Sequence, residues 1–338
     1  MRAIEVTKPN QLTIVDREIP QIKADQVLIR VKAAGICGSD VHLYHGGNAF
    51  ATYPRVPGHE FVGEIEKVGT EAKNINIGDH VVVDPVVSCG HCYPCRIGRH
   101  NVCKSLQVFG VHRDGGFQEY VVANYKQVYQ LPKETPWEIA ATVEPYSIAA
   151  QVINRGRLVK DDTVLICGAG PIGLIILQVV KMMGAKAAII DIVASRLDKA
   201  KAMGADLVIN SKEQNMVKEV MTFTQQEGAN LIFEATGNIK VLESCIHDIA
   251  SPAGRIVVLG FSKDLVKIPQ VDIMSRELEI IGTRLNNNRF AEVLQWFAEG
   301  KVNPAQIISH TFAFEKIQDA FNMIDQQPED VLKIVLKF

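Results

Sequence analysis

No block of like charge interrupts the 338 residues: 36 Lys and Arg and 38 Asp and Glu are scattered along the chain and leave a formal net charge of −2. A nucleic-acid binder shows a basic face and a membrane-surface protein a basic amphipathic helix, so neither class of partner is expected. The opening residues Met1-Arg2-Ala3-Ile4-Glu5 lack the apolar core of an export signal, and the expected compartment is the cytoplasm. No long hydrophobic run is present either. The most lipid-like stretch, Val164 to Val180, is broken near its start by Gly168, Gly170, Pro171 and Gly173. It reads as a buried strand, a tight turn and a buried helix rather than a membrane span. Low-complexity tracts and solenoid-period repeats are also missing. What remains is a globular chain long enough for two domains and large enough to need no disulfide staples.

The chain changes character near Asp161. Before it lie short strands punctuated by glycine and proline, at Gln26–Ala33, Val62–Val68, Val81–Val83 and Glu119–Val122, the pattern of a barrel-like β domain. After it, strands and helices alternate. Strands are expected at Thr163–Cys167, Lys186–Ile190, Asp206–Ile209, Leu231–Ala235, Arg255–Leu259 and Leu278–Ile281. Helices are expected at Ile172–Met183, Ala194–Met203, Asn215–Gln225 and Lys240–Ala250. That alternation specifies an α/β domain with a six-stranded, doubly wound parallel sheet. From about Asn288 the pattern becomes helix, short strand, helix and a last strand at Val331–Leu336.

A dinucleotide site is written at the first βα junction. Gly168, Gly170 and Gly173, with Pro171 and Ile172 between the last two, form a G-x-G-x-x-G run after a strand and at the start of a helix. Small residues there let the backbone approach a pyrophosphate whose charge sits at the helix N-terminus. Asp191 ends the next strand, where a carboxylate accepts from both ribose hydroxyls and repels a 2′-phosphate, which favours NAD over NADP. Arg196, five residues on, could instead pair with a phosphate. Thr236, Leu259 and Thr283 complete the expected cofactor-binding set.

Seven cysteines is an odd number, and Cys89, Cys92, Cys95 and Cys103 crowd into fifteen residues. In a chain with no expected export signal, such clustering favours metal ligation over disulfides. The spacing C-x2-C-x2-C-x7-C suits a closed, structural zinc site of four thiolates, with Arg96, Arg99 and Lys104 near enough to offset its charge. An iron–sulfur cluster is the rival reading; the last interval is longer than the ferredoxin spacing and no proline follows Cys103. Three further pieces suggest a second metal site: Gly35-Ile36-Cys37-Gly38-Ser39-Asp40-Val41-His42, Gly58-His59-Glu60 and Val143-Glu144-Pro145. Singly, each has an ordinary structural explanation; together they point to chemistry.

With these pieces in view, essentially the whole chain resembles the zinc-containing medium-chain dehydrogenases. The resemblance is carried by the run from Cys37 to His42, His59-Glu60, the four-cysteine lobe, Gly110 to Phe117, Glu144-Pro145 and the glycine run. It implies a GroES-like, β-rich catalytic domain formed by residues 1–147 and 288–338, and a Rossmann domain formed by 148–287. A glutamate at 144, where alcohol dehydrogenases of the family carry a cysteine, is similar to the sorbitol and threonine dehydrogenase branch. In that branch Cys37, His59 and Glu60 are expected to ligate a catalytic zinc. Glu144 then either binds the metal or holds its water, or exchanges roles with Glu60. Two zinc ions per chain and NAD are therefore the expected cofactors.

The resemblance also implies that Asp40 orients His59, and that Ser39 takes the alcohol proton and passes it through the ribose to His42; as plain turn and surface residues, Ser39 and His42 would need no such role. The run from Asp84 to Cys95 and the segment Gly282 to Asn286 are similar to bacterial starvation-sensing dehydrogenase-like proteins and to L-galactonate, L-gulonate and L-idonate 5-dehydrogenases. The expected substrate is thus a sugar acid, with a polyol or threonine as the alternative and a non-catalytic regulatory protein as the alternative of another class. Arg113, Arg284 and Arg289 are candidates for a substrate carboxylate, with Asn286 and Asn287 for its hydroxyls. A homodimer or homotetramer is expected, with Arg255–Leu259 as its candidate edge strand.

Overall fold

The computed structural model describes every residue of the chain except Ala49. The chain forms two compact units: Met1–Pro145 with Phe290–Gln295 and Pro304–Phe338, and Tyr146–Arg289 with Trp296–Asn303.

In the first unit the strands Ile308–Ala313, Lys333–Lys337, Gln26–Ile36, Glu60–Val68, His80–Val83 and Val128–Gln130 lie side by side in that order, with Tyr120–Asn124 also on Gln26–Ile36. All pairs are antiparallel except Ile308–Ala313 with Lys333–Lys337. The long strand Gln26–Ile36 is central because its alternate residues Val27, Ile29 and Val31 are all buried. They pack with Phe61, Ile65, Val81, Phe117, Phe314, Phe321 and Ile334 into one core. Gly35 lies opposite Glu60, and Ile36 lies opposite Ile334.

The second unit holds a six-stranded parallel sheet ordered Leu207–Asn210, Lys186–Asp191, Thr163–Cys167, Ala229–Glu234, Ala250–Val258, Glu279–Gly282. The order turns back at Thr163–Cys167, the switch point at which such sheets bind nucleotides. Thr163–Cys167 and helix Pro171–Met182 account for the apolar stretch; no helix among the described residues is long and apolar enough to cross a membrane.

One helix ends in an unexpected form, one expectation needs correction and one hairpin was missed. The expected helix Lys240–Ala250 is found from Ile239 to Ile249, α-helical over Ile239–Ser244 and widened to a π-helix over Cys245–Ile249, and Ala250 already belongs to the next strand. Cys245, Ile246 and Ile249 are all buried, so the apolar face runs on through the widened turn. Arg255–Leu259 is not an edge: the strand Ala250–Val258 is paired on both sides, and the edge is Glu279–Gly282. The hairpin Arg2–Lys8 with Gln11–Asp16 was not anticipated, because Gln11–Asp16 has no buried residue to mark it.

Candidate metal and cofactor sites

The strand Gln26–Ile36 ends at Cys37, which caps the short helix Gly38–Tyr44. Asp40, 1% exposed, sits in the first turn of that helix. Its Oδ2 accepts the backbone N–H of Cys37 at 2.9 Å, and its Oδ1 accepts that of Gly58 at 3.1 Å. One buried carboxylate therefore fastens two distant segments, and its Oδ1 lies 3.5 Å from Nδ1 of His59. Ligating atoms of Cys37, His59 and Glu60 all fall within 4.8 Å of one another.

Two buried polar atoms in this cluster lack any hydrogen-bond partner: Nδ1 of His59 and Oε2 of Glu60. Buried polar atoms are seldom left so. Oε2 of Glu60 occupies the space above Gly35, where a Cβ would overlap it. Thiol, imidazole and carboxylate donors in one small space fit a zinc ion, which takes sulfur, nitrogen and oxygen ligands at about 2.0–2.3 Å and in catalytic sites keeps a position open. Burial works against protonating His59, but the neighbouring Asp40 and Cys37 outweigh it and hold the imidazole pKa well above its ordinary value.

Glu144, 3% exposed, lies outside this three-residue group, in the first turn of helix Val143–Gly156. Burial pushes its carboxyl up to about 8; Glu60 and Asp84 add to the rise, while His59 and Lys333 oppose it. Ser39 is half-buried and His42 exposed, both on Gly38–Tyr44.

Sequence reasoning missed Lys333. It is 4% exposed, and its Nζ donates to Oε1 of Glu60 at 2.6 Å and to the carbonyl of Ile36 at 3.1 Å. Burial lowers its pKa, and the opposing charges of Glu60 and Cys37 raise it further than burial lowers it. Only the character of the last strand, a lysine within an apolar run, hinted at a buried cation.

The four thiols of Cys89, Cys92, Cys95 and Cys103 form the second metal-competent group. The Sγ of Cys92 lies 3.5 Å from that of Cys95 and 3.7 Å from that of Cys103. Backbone N–H groups of Cys89 and Ser105 donate to Sγ of Cys103 at 3.3 Å. Backbone N–H groups of Lys104 and Cys95 bring the Cys92 thiol down to about 6, whereas burial lifts Cys95 to about 11. The lobe is a loop closed at its base by the pairs Val86–Val108 and Val87–Gln107. Between those pairs the only buried apolar side chains are Cys95 and Cys103 themselves. Four sulfurs so placed could hold a metal ion, which would stand in for the core that this loop lacks.

In the second unit, Gly168, Gly170, Asp191, Arg196, Ser211 and Thr236 line a cavity of about 370 Å³. Gly168 has φ +102°, and a Cβ at Gly173 would overlap the carbonyl of Gly168, so the helix Pro171–Met182 can start only against bare backbone. Asp191 is held by three amides: Ala169 N–H to Oδ2 at 2.6 Å, and Ile192 and Val193 N–H to Oδ1 at 2.7 and 2.9 Å. Leu259 and Thr283 do not line the cavity; their backbone N–H groups bond to the carbonyls of Glu234 and Val258. Ser211 was missed, and so was Glu234, whose buried carboxylate takes the N–H groups of Thr236 and Gly237 and shapes the next turn. Arg113 lies over the ring of Phe109, in a cavity of about 620 Å³ whose lining includes none of Cys37, His59 and Glu60.

Two sequence families match the chain: an alcohol dehydrogenase GroES-like domain over residues 23–133 and a zinc-binding dehydrogenase over 171–299. The starvation-sensing protein RspB of Escherichia coli K12 is 45% identical, covering 100% of this chain and 99% of that protein. L-galactonate-5-dehydrogenase of the same strain is 29% identical, over 100% and 99% respectively. A sorbitol dehydrogenase and several L-threonine 3-dehydrogenases also match nearly the whole chain. Among solved structures, an alcohol dehydrogenase of Escherichia coli CFT073 complexed with NADH superposes with a TM-score of 0.95 at 43% identity, covering 100% of this chain and 99% of that one.

Proposed function

The chain belongs to the zinc-binding alcohol dehydrogenases, and on that premise we propose that it oxidises a secondary alcohol, C5 of a hexonate such as L-gulonate or L-galactonate, with NAD as hydride acceptor. The convergence of Cys37, His59 and Glu60 around a buried, unpartnered carboxylate oxygen carries this reading. Catalysis is assigned to residues 1–147 with 288–338 and cofactor binding to 148–287. When bound, zinc supplies Lewis acidity, which lets an alcohol lose its proton near neutral pH, and NAD supplies the hydride acceptor.

The protein's own groups do the rest. Cys37, His59 and Glu60 hold the catalytic metal, with Glu60 as the resting carboxylate and Glu144 held in reserve or orienting water. Asp40 fixes the amide of Cys37 and the orientation of His59, the kind of supporting contact whose loss costs about 10–100-fold in metal affinity or activity. Ser39 would accept the alcohol proton, and His42, exposed on the same helix, would release it to solvent. Gly168, Gly170, Pro171, Ile172 and Gly173 receive the pyrophosphate, and Asp191 the adenosine ribose; Arg196, Thr236, Leu259 and Thr283 complete that set. The cysteine lobe holds a second, structural zinc.

L-galactonate-5-dehydrogenase, matched end to end, supports a sugar-acid substrate. Steady-state turnover with NAD on hexonates, hexitols and threonine tests it. We expect hexonates to be preferred; turnover confined to uncharged hexitols or to threonine overturns the substrate while leaving the reaction class. The assigned compartment is the cytoplasm, where seven unpaired thiols are stable. Self-association, as a dimer or tetramer, is assigned to the edge strand Glu279–Gly282, on which Ile280 stays exposed.

A further inference from the structure

Lys333 crosses the central strand of the first unit. It stands on Lys333–Lys337, and its ammonium reaches past Ile36 on Gln26–Ile36 to Glu60 on the strand beyond. Its ion pair with Glu60 is almost wholly withdrawn from water, the two side chains being 4% and 1% exposed. Ion pairs so deeply buried are costly to build and are weak stabilisers compared with packed apolar side chains. A strand joint alone does not call for one here, since Ile334, Val335 and Leu336 beside it already pack at 1% exposure or less. The pair also divides Glu60 in two: Oε1 is occupied by the ammonium, and Oε2 is left buried and unpartnered above Gly35.

We infer that Lys333 is a positioning residue for the metal: it commits Oε1 of Glu60, so that the carboxylate offers a single oxygen, and it keeps the ligand set positively charged. This rests on the reading that Cys37, His59 and Glu60 hold zinc. One thiolate and one carboxylate cancel the formal charge of a divalent cation; the ammonium restores one positive charge. A cationic set draws electron density from an alcohol oxygen more strongly than a neutral one does. A carboxylate limited to one oxygen leaves a coordination place for substrate, which two-oxygen binding would fill.

The test separates this role from that of a strand joint, because the two predict opposite signs. Zinc per chain and the rate of zinc loss to dipicolinate are measured on the holoenzyme and on Lys333→Met, Lys333→Gln and Lys333→Arg. The phase belonging to the catalytic site is identified as the one that Cys37→Ala removes. Without the ammonium, both oxygens of Glu60 turn to the metal. In Lys333→Met and Lys333→Gln the catalytic zinc is therefore lost several-fold more slowly, the structural zinc is unaffected, and kcat falls about tenfold with KM little changed. Lys333→Arg, which keeps the charge, restores release and kcat towards those of the parent.

Zinc lost as fast as from the parent, or faster, overturns the inference and leaves Lys333 a joint. Lys333→Gln keeps a donor for Glu60 and carries the test if Lys333→Met does not fold. A parent enzyme with one zinc per chain overturns the underlying reading instead, so the two failures are told apart.

Discussion

At the residue scale, the metal cluster is defined by what each side chain is prevented from doing. Asp40 is spent on two backbone amides and on His59, so it supports the site without competing for the ion. Glu60 has one oxygen committed and one free. Gly35 makes the free oxygen possible, since any Cβ there would overlap it. Gly35→Ala should therefore displace the Glu60 carboxylate, lower turnover by about 10–100-fold and reduce occupancy of the catalytic zinc, with the four-cysteine zinc retained. Parent-like turnover and two full zincs would show that Glu60 does not face the metal.

Asp191 is the matching case in the second unit. Three amides fix its carboxylate at the end of the strand Lys186–Asp191, beside the glycine turn. Asp191→Ala should collapse the preference for NAD over NADP, read as the ratio of their kcat/KM values. An unchanged ratio would mean that another group, such as Arg196 or Ser211 in the same cavity, reads the ribose.

Elements were legible in proportion to how completely their burial follows one period. The six parallel strands stand out because buried runs such as Val164-Leu165-Ile166-Cys167 admit little else between turn signals. Cys245–Ile249 keeps the apolar spacing of the helix before it, so its extent was legible and the widening of that last turn was not. Strand order was legible only through the resemblance to Rossmann domains, whose order 3-2-1-4-5-6 is the one found; the residues themselves do not mark the edge. Nothing in the residues of Arg255–Leu259 says that Glu279–Gly282 will lie outside it; a parallel strand can be laid on either side of its predecessor. The corrected edge makes a specific prediction. A charge placed on it, Ile280→Lys, should oppose edge-to-edge pairing and shift the protein towards monomer in sedimentation velocity. An unshifted oligomer would move the contact elsewhere.

At the scale of the molecule, both metal groups and the glycine turn could be found from spacing, because their ligands come in short runs whose chemistry is legible locally. Lys333 could not. Its contact with Glu60 joins residues 273 apart in the chain and exists only because Lys333–Lys337 and Glu60–Val68 flank the same central strand. Long-range neighbours of this kind are set by sheet order, which the linear pattern leaves undetermined. The two metal groups also divide their labour. The cysteine lobe lacks a core, so on the proposed function its shape would depend on its ion, whereas Cys37, His59 and Glu60 sit against a packed sheet.

The proposed chemistry requires a zinc ion held by Cys37, His59 and Glu60, distinct from one in the lobe. Zinc counted per chain by elemental analysis in the parent and in Cys37→Ala tests this directly. The expected result is two in the parent and one in the variant, with turnover abolished, folding intact and NADH still bound. One zinc in the parent, or two retained in the variant, would contradict it.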